Sequence, residues 1–114
     1  MFEKRGVLSL WIFREQREEL DDSILNEEFG IDDYNEDLLE VGGPDSWQST
    51  PIRDVLSPMS VSESWINQAV EKANSMGITE CRRAFIILNF DYKPSSATNL
   101  PNDPVFIGTF KFNY

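Results

Sequence analysis

Gly6-Val7-Leu8-Ser9-Leu10-Trp11-Ile12-Phe13 is apolar at almost every position and β-branched or aromatic at several. A strand with one wet face alternates polar and apolar residues, whereas a strand covered on both faces reads as an unbroken apolar run. The stretch therefore predicts a central strand. At Val7 to Phe13 the run is too short for a transmembrane helix, and no small-residue cleavage pattern follows it.

Two further strands are expected, over Cys81 to Tyr92 and over Val105 to Tyr114. In the second, Phe106, Gly108, Phe110, Phe112 and Tyr114 alternate onto one face, and Thr109, Lys111 and Asn113 onto the other. Between these strands, Lys93 to Pro104 carries three prolines among Ser, Asn and Thr, which reads as an exposed hairpin loop longer than usual. From Arg14 to Phe29 the apolar residues Leu20, Ile24, Leu25 and Phe29 fall at helical spacing, and Gly30 stands where a helix stops. A helix starting at Ser60 is expected from a capping box. There the Ser60 oxygen would accept from a first-turn amide while Glu63 reaches back to the amide of Ser60. Val61, Trp65, Ile66, Ala69, Val70, Ala73 and Met76 form its apolar stripe, and Gly77 closes it. Pro51 opens a short helical turn through Leu56, and Gly42-Gly43-Pro44-Asp45 is turn chemistry. Ile31 to Asp45 reads as a loop leading into a short strand or turn. The whole predicts an α+β protein, a single domain over residues 1–114. Its antiparallel-rich sheet has about three to five strands, with two or three helices packed on one face.

With 40% hydrophobic and 12% aromatic residues the chain has the apolar mass to fold, which a disordered acidic tail lacks. Its formal net charge of −10 would repel phosphates, so nucleic acid and anionic membrane are poor ligands and a basic partner is the complement. The charge is concentrated: Glu15 to Asp45 holds thirteen of the twenty acidic residues and one basic residue, Arg17. No histidine occurs, which removes the commonest general base, the Ser-His and Cys-His pairs and the usual transition-metal ligand. The one cysteine, Cys81, allows no internal disulfide and points to a reducing compartment. The arginines Arg82 and Arg83 beside it favour a thiolate, but without a histidine a plain strand cysteine is the better reading. We therefore expect no catalytic residue, no metal and no cofactor.

Asp32, Asp33, Glu36, Asp37 and Glu40 form the tightest acid cluster. The segment lacks the glycine and the ligand rhythm of a calcium-binding loop. A carboxylate-based hydrolase would need a cleft that nothing in the sequence marks. Two readings stand for the cluster, a solvated face and a docking surface for a basic active site. Trp11 and Trp65 read as core. Trp47, between Ser46 and Gln48 in a loop, reads either as an interface anchor or as local packing, and Tyr34 within the cluster is a similar candidate.

Five strings carry a resemblance: Ser9-Leu10-Trp11-Ile12; Phe29-Gly30-Ile31-Asp32-Asp33-Tyr34-Asn35-Glu36-Asp37-Leu38-Leu39-Glu40; Ser60-Val61-Ser62-Glu63-Ser64; Ile87-Leu88-Asn89-Phe90-Asp91-Tyr92; and Phe106-Ile107-Gly108-Thr109-Phe110-Lys111-Phe112-Asn113-Tyr114. In their order and spacing the chain resembles the immunity protein 22 family of bacterial polymorphic toxin and contact-dependent growth inhibition systems. The resemblance implies a cytoplasmic antitoxin that binds the C-terminal domain of a cognate toxin, often a nuclease such as a tRNase. Combined with the charge reading, it puts the toxin-binding surface on Glu27, Glu28, Asp32, Asp33, Tyr34, Glu36, Asp37, Glu40 and Trp47. The free protein is expected to be a monomer or a weak dimer. The alternatives are a small carboxylate hydrolase or metal-binding protein, and a non-catalytic adaptor domain that dimerises through an edge strand.

Overall fold

The computed structural model describes residues 3–15, 23–31, 33–93 and 103–113. The apolar run at the N-terminus lies in strand β1, Glu3–Phe13, in which every residue from Val7 to Phe13 is buried. Successive side chains of a strand point to opposite faces. Leu8, Leu10 and Ile12 accordingly enter one apolar cluster, and Trp11 and Phe13 enter another on the far side of the sheet.

Helix α1 (Ser23–Phe29), strand β2 (Leu39–Gly42) and a two-residue strand β3 (Thr50–Pro51) follow β1. Next come helices α2 (Ile52–Leu56) and α3 (Ile66–Ser75), a second short strand β4 (Glu80–Cys81), and strands β5 (Arg83–Phe90) and β6 (Val105–Lys111). The main sheet has the order β2-β5-β1-β6, with every pairing antiparallel, and β3 pairs with β4 in a separate ladder. This is the expected α+β, antiparallel-rich architecture. A Cα radius of gyration of 13.1 Å is that of one compact domain of this size.

The helices pack on both faces rather than one. Ile52, Val55 and Leu56 of α2 and Ile66, Ala69 and Ala73 of α3 cover Leu8, Leu10 and Ile12. Leu25 and Phe29 of α1 cover the opposite face with Trp11, Phe85 and Ile87. Because Leu8, Leu10 and Ile12 on one side of β1 and Trp11 and Phe13 on the other are large and apolar, each face needs its own cover.

Four local expectations are corrected. The segment after Phe90 is no hairpin loop, since β1 lies between β5 and β6 and the connection must cross it, which accounts for its length. Residues 94–102 of that connection lie outside the described residues. In β6 the alternation breaks: Leu10 faces Gly108 but Trp11 faces Phe106, so one residue is extra on β6. Such a bulge reverses the facing of the side chains beyond it. Phe106 therefore packs with the Trp11 cluster while Phe110 and Phe112 join the other. The strand expected from Cys81 is two strands, because Cys81 pairs with Thr50 while Arg83 onward joins the main sheet.

The capping box at Ser60 does not form. Val61 takes a left-handed conformation (φ 46°, ψ 31°), a single 3-10 turn covers Ser62–Ser64, and α3 begins only at Ile66. The amide that Glu63 was expected to take is held from across the fold: Ser60 N–H donates to Glu40 Oε1 at 3.0 Å. The Ser60 carbonyl in turn accepts from Trp65 Nε1 at 3.1 Å. At its other end α3 stops as expected. Gly77, at φ 80°, donates to the Asn74 carbonyl and Ile78 donates to that of Ala73, the paired bonds of a glycine helix stop. Met76 leaves the apolar stripe and is 41% exposed. Of the first expected helix, the part before Ser23 and the Ile24 side chain lie outside the described residues.

Candidate functional site

The acidic segment is held by its apolar residues. Leu25 and Phe29, one turn apart on α1, point into the core and leave Glu27 exposed. Ile31 follows them inward at 2% exposure. Asp33 is exposed, and Tyr34 lies half-buried against the aromatic cluster. The Asn35 side chain then accepts the Asp37 N–H at 3.0 Å and caps a 3-10 turn over Glu36–Leu38. That turn exposes Glu36 and Asp37 while Leu38 and Leu39 pack against the two cores. The inward anchors thus alternate with outward carboxylates over about fifteen residues. Asp32 and the Glu28 side chain lie outside the described residues.

Glu40 differs from its neighbours, being half-buried with its carboxylate engaged by the Ser60 amide. Of the two readings of Trp47, local packing holds and the interface anchor does not: it is 6% exposed and packs edge-on against Phe13 with centroids 5.4 Å apart. The Arg83 guanidinium lies 5.2 Å from its ring centroid, and Arg82 Nη1 donates to its carbonyl at 2.6 Å. Arg83 also approaches Asp45 at 3.9 Å. The loop around Trp47 closes over the sheet because burying an indole is worth more than presenting it to water. Cys81 is likewise core: burial pushes its thiol from the ordinary 9.0 up to about 12, the reverse of an activated nucleophile.

Among the described residues, concavities open beside the acidic segment and beyond it, on the α2 side of the sheet. One of about 420 Å³ separates Asn35 and Leu38 from Lys4 and Arg5 of β1 and Asn89 of β5. A second, of about 330 Å³, lies between β2 and α2, and a third, of about 550 Å³, adjoins the Ser62–Ser64 turn. Asp54 and Glu63 line these last two; each stands alone outside the acidic run, and the sequence marks Glu63 only as a capping residue and does not mark Asp54. Among the described residues no group of three or more His, Cys, Asp or Glu side chains is arranged to hold a metal ion, and no helix is long and apolar enough to cross a membrane.

A family model described as Immunity protein 22 matches residues 12–113. No curated protein and no solved structure matches the chain.

Proposed function

The chain belongs to the Immunity protein 22 family, and from that membership we propose that it is an antitoxin that neutralises a cognate toxin by covering a basic active site with the acidic face around Asp33 to Asp37. The observation that carries this reading is the anchoring of the segment. Glu27, Asp33, Glu36 and Asp37 stand exposed on a backbone whose apolar residues are fixed in the core, so little ordering is lost on binding. Arrayed carboxylates mimic a phosphate backbone for the Arg and Lys side chains of a nuclease such as a tRNase, and they steer encounter. The protein acts by occlusion, without chemistry or a cofactor of its own, in the cytoplasm of the cell that makes the toxin. By sequence position Glu28 and Asp32 belong to the same proposed set, Tyr34 supplies an apolar edge, Glu40 ties the end of the segment to Ser60, and Trp47 packs in the core against Phe13.

The test is reversal of Asp33, Glu36 and Asp37 to lysine, measured by protection of cells that express the C-terminal domain of the toxin encoded beside this gene. Protection should be lost, and association of the unaltered protein should slow as salt rises, because exposed charges are screened beyond about 10 Å at 0.1 M. Full protection by the reversed variant would overturn the acidic-face reading.

A further inference from the structure

The two concavities on the α2 side of the sheet share Met59 as a lining residue. Their floor is apolar: Val55 and Met59 are buried, while Val41, at 39% exposure, and the half-buried Val61 form their margins. Three carboxylates line them, Glu40 and Asp54 in one and Glu63 in the other, and no lysine or arginine among the described residues does so. Asp54 and Glu63 are exposed. Lysine and arginine lay their methylene stems on apolar surface and put their charged heads at carboxylates, and this lining offers both. The margin between the hollows is also fixed in advance. Ser60 is held at its amide by Glu40 and at its carbonyl by Trp65 Nε1, and Val61 beside it keeps a left-handed backbone that a β-branched residue rarely adopts.

We propose that this paired groove is a second docking surface, which receives an extended basic segment of the toxin with lysine or arginine side chains directed at Asp54 and Glu63. The proposal rests on the antitoxin reading and adds to it a surface outside the acidic run. A groove that receives alternate side chains of an extended chain gives specificity where a field of carboxylates gives steering.

The experiment titrates the purified C-terminal domain of the toxin encoded beside this gene into four forms of the full chain: unaltered, Asp54→Lys with Glu63→Lys, Glu71→Lys, and Asp33→Lys with Glu36→Lys and Asp37→Lys. Glu71 is an exposed carboxylate of α3 that lines neither hollow. The double reversal should weaken binding by about tenfold or more, and Glu71→Lys should change it by about twofold at most. A milder pair, Asp54→Asn with Glu63→Gln, keeps the side-chain shapes should the reversal fail to fold, and it too should bind more weakly than Glu71→Lys. Binding by either groove pair that matches Glu71→Lys overturns the groove. If in addition the Asp33 triple loses binding, the acidic-face reading survives without the groove. No binding by the unaltered chain overturns both.

Discussion

Glu40 Oε1 accepts the backbone N–H of Ser60 at 3.0 Å, joining the edge strand β2 to the turn that leads into α3. This one bond assigns Glu40 a structural task among the described carboxylates of the acidic segment, the rest of which are exposed. Glu40→Ala should lower stability by about 0.5–1.5 kcal/mol, whereas Glu40→Gln, whose amide oxygen still accepts the same N–H, should lose less. Urea unfolding of the two variants checks it, and equal stabilities would mean that the bond contributes nothing.

That relationship also shows where sequence reading stops. The central strand, the α+β class, the stop at Gly77 and the inward turn of Leu25 and Phe29 are local: period, glycine placement and apolar run length decide them, and the structure has all four. Ser60 and Glu63 carry an equally good local signal, yet a residue twenty positions away takes the amide they would have shared. The bulge at Ile107 and the insertion of β1 between β5 and β6 belong to the same class, being set by pairing between distant strands. For the site, the exposed carboxylates were readable because they cluster in sequence. Asp54 and Glu63 come to neighbouring hollows only through the fold.

Trp47 packs against Phe13 beneath Arg83, and Trp11 and Trp65 are fully buried. All three indoles should resist acrylamide quenching in the native state and become accessible together on unfolding. Trp47→Ala should cost about 3–5 kcal/mol, the range for emptying a buried aromatic site. A native tryptophan population quenched as fast as in the unfolded chain would return Trp47 to the surface.

Ser9 is the one fully buried polar side chain of β1. Its hydroxyl donates to the Phe90 carbonyl at 2.8 Å and accepts the Tyr92 N–H at 2.9 Å, tying the end of β5 to the centre of the sheet. Ser9→Ala withdraws both bonds where water cannot replace them and should cost about 1–3 kcal/mol. The exposed Ser75, whose hydroxyl bonds only the Lys72 carbonyl one turn back, is the comparison. Ser75→Ala should leave the chemical-denaturation midpoint nearly unchanged, and equal midpoint losses in the two variants would contradict the assigned role of Ser9.

Cys81 sets the behaviour at high pH. In the folded protein its thiol holds its proton to about 12, while in the unfolded chain it ionises at its ordinary 9.0. Between those values the folded state binds more protons than the unfolded state, so the free energy of unfolding falls as pH rises. Burial raises the Tyr92 hydroxyl above its ordinary 10.0, and that adds a loss of the same sign at higher pH. Removing the thiol separates the two contributions. The stability difference between the unaltered protein and Cys81→Ala should be constant below about pH 8 and shrink steadily above pH 9, because only the unaltered chain loses the thiol contribution. In parallel, a thiol reagent at neutral pH should label Cys81 only at the rate of global unfolding, since the side chain is 1% exposed. Rapid labelling of the native protein would show the thiol to be accessible, and a pH-independent stability difference would show its pKa to be the same folded and unfolded; either would return Cys81 to consideration as a reactive group.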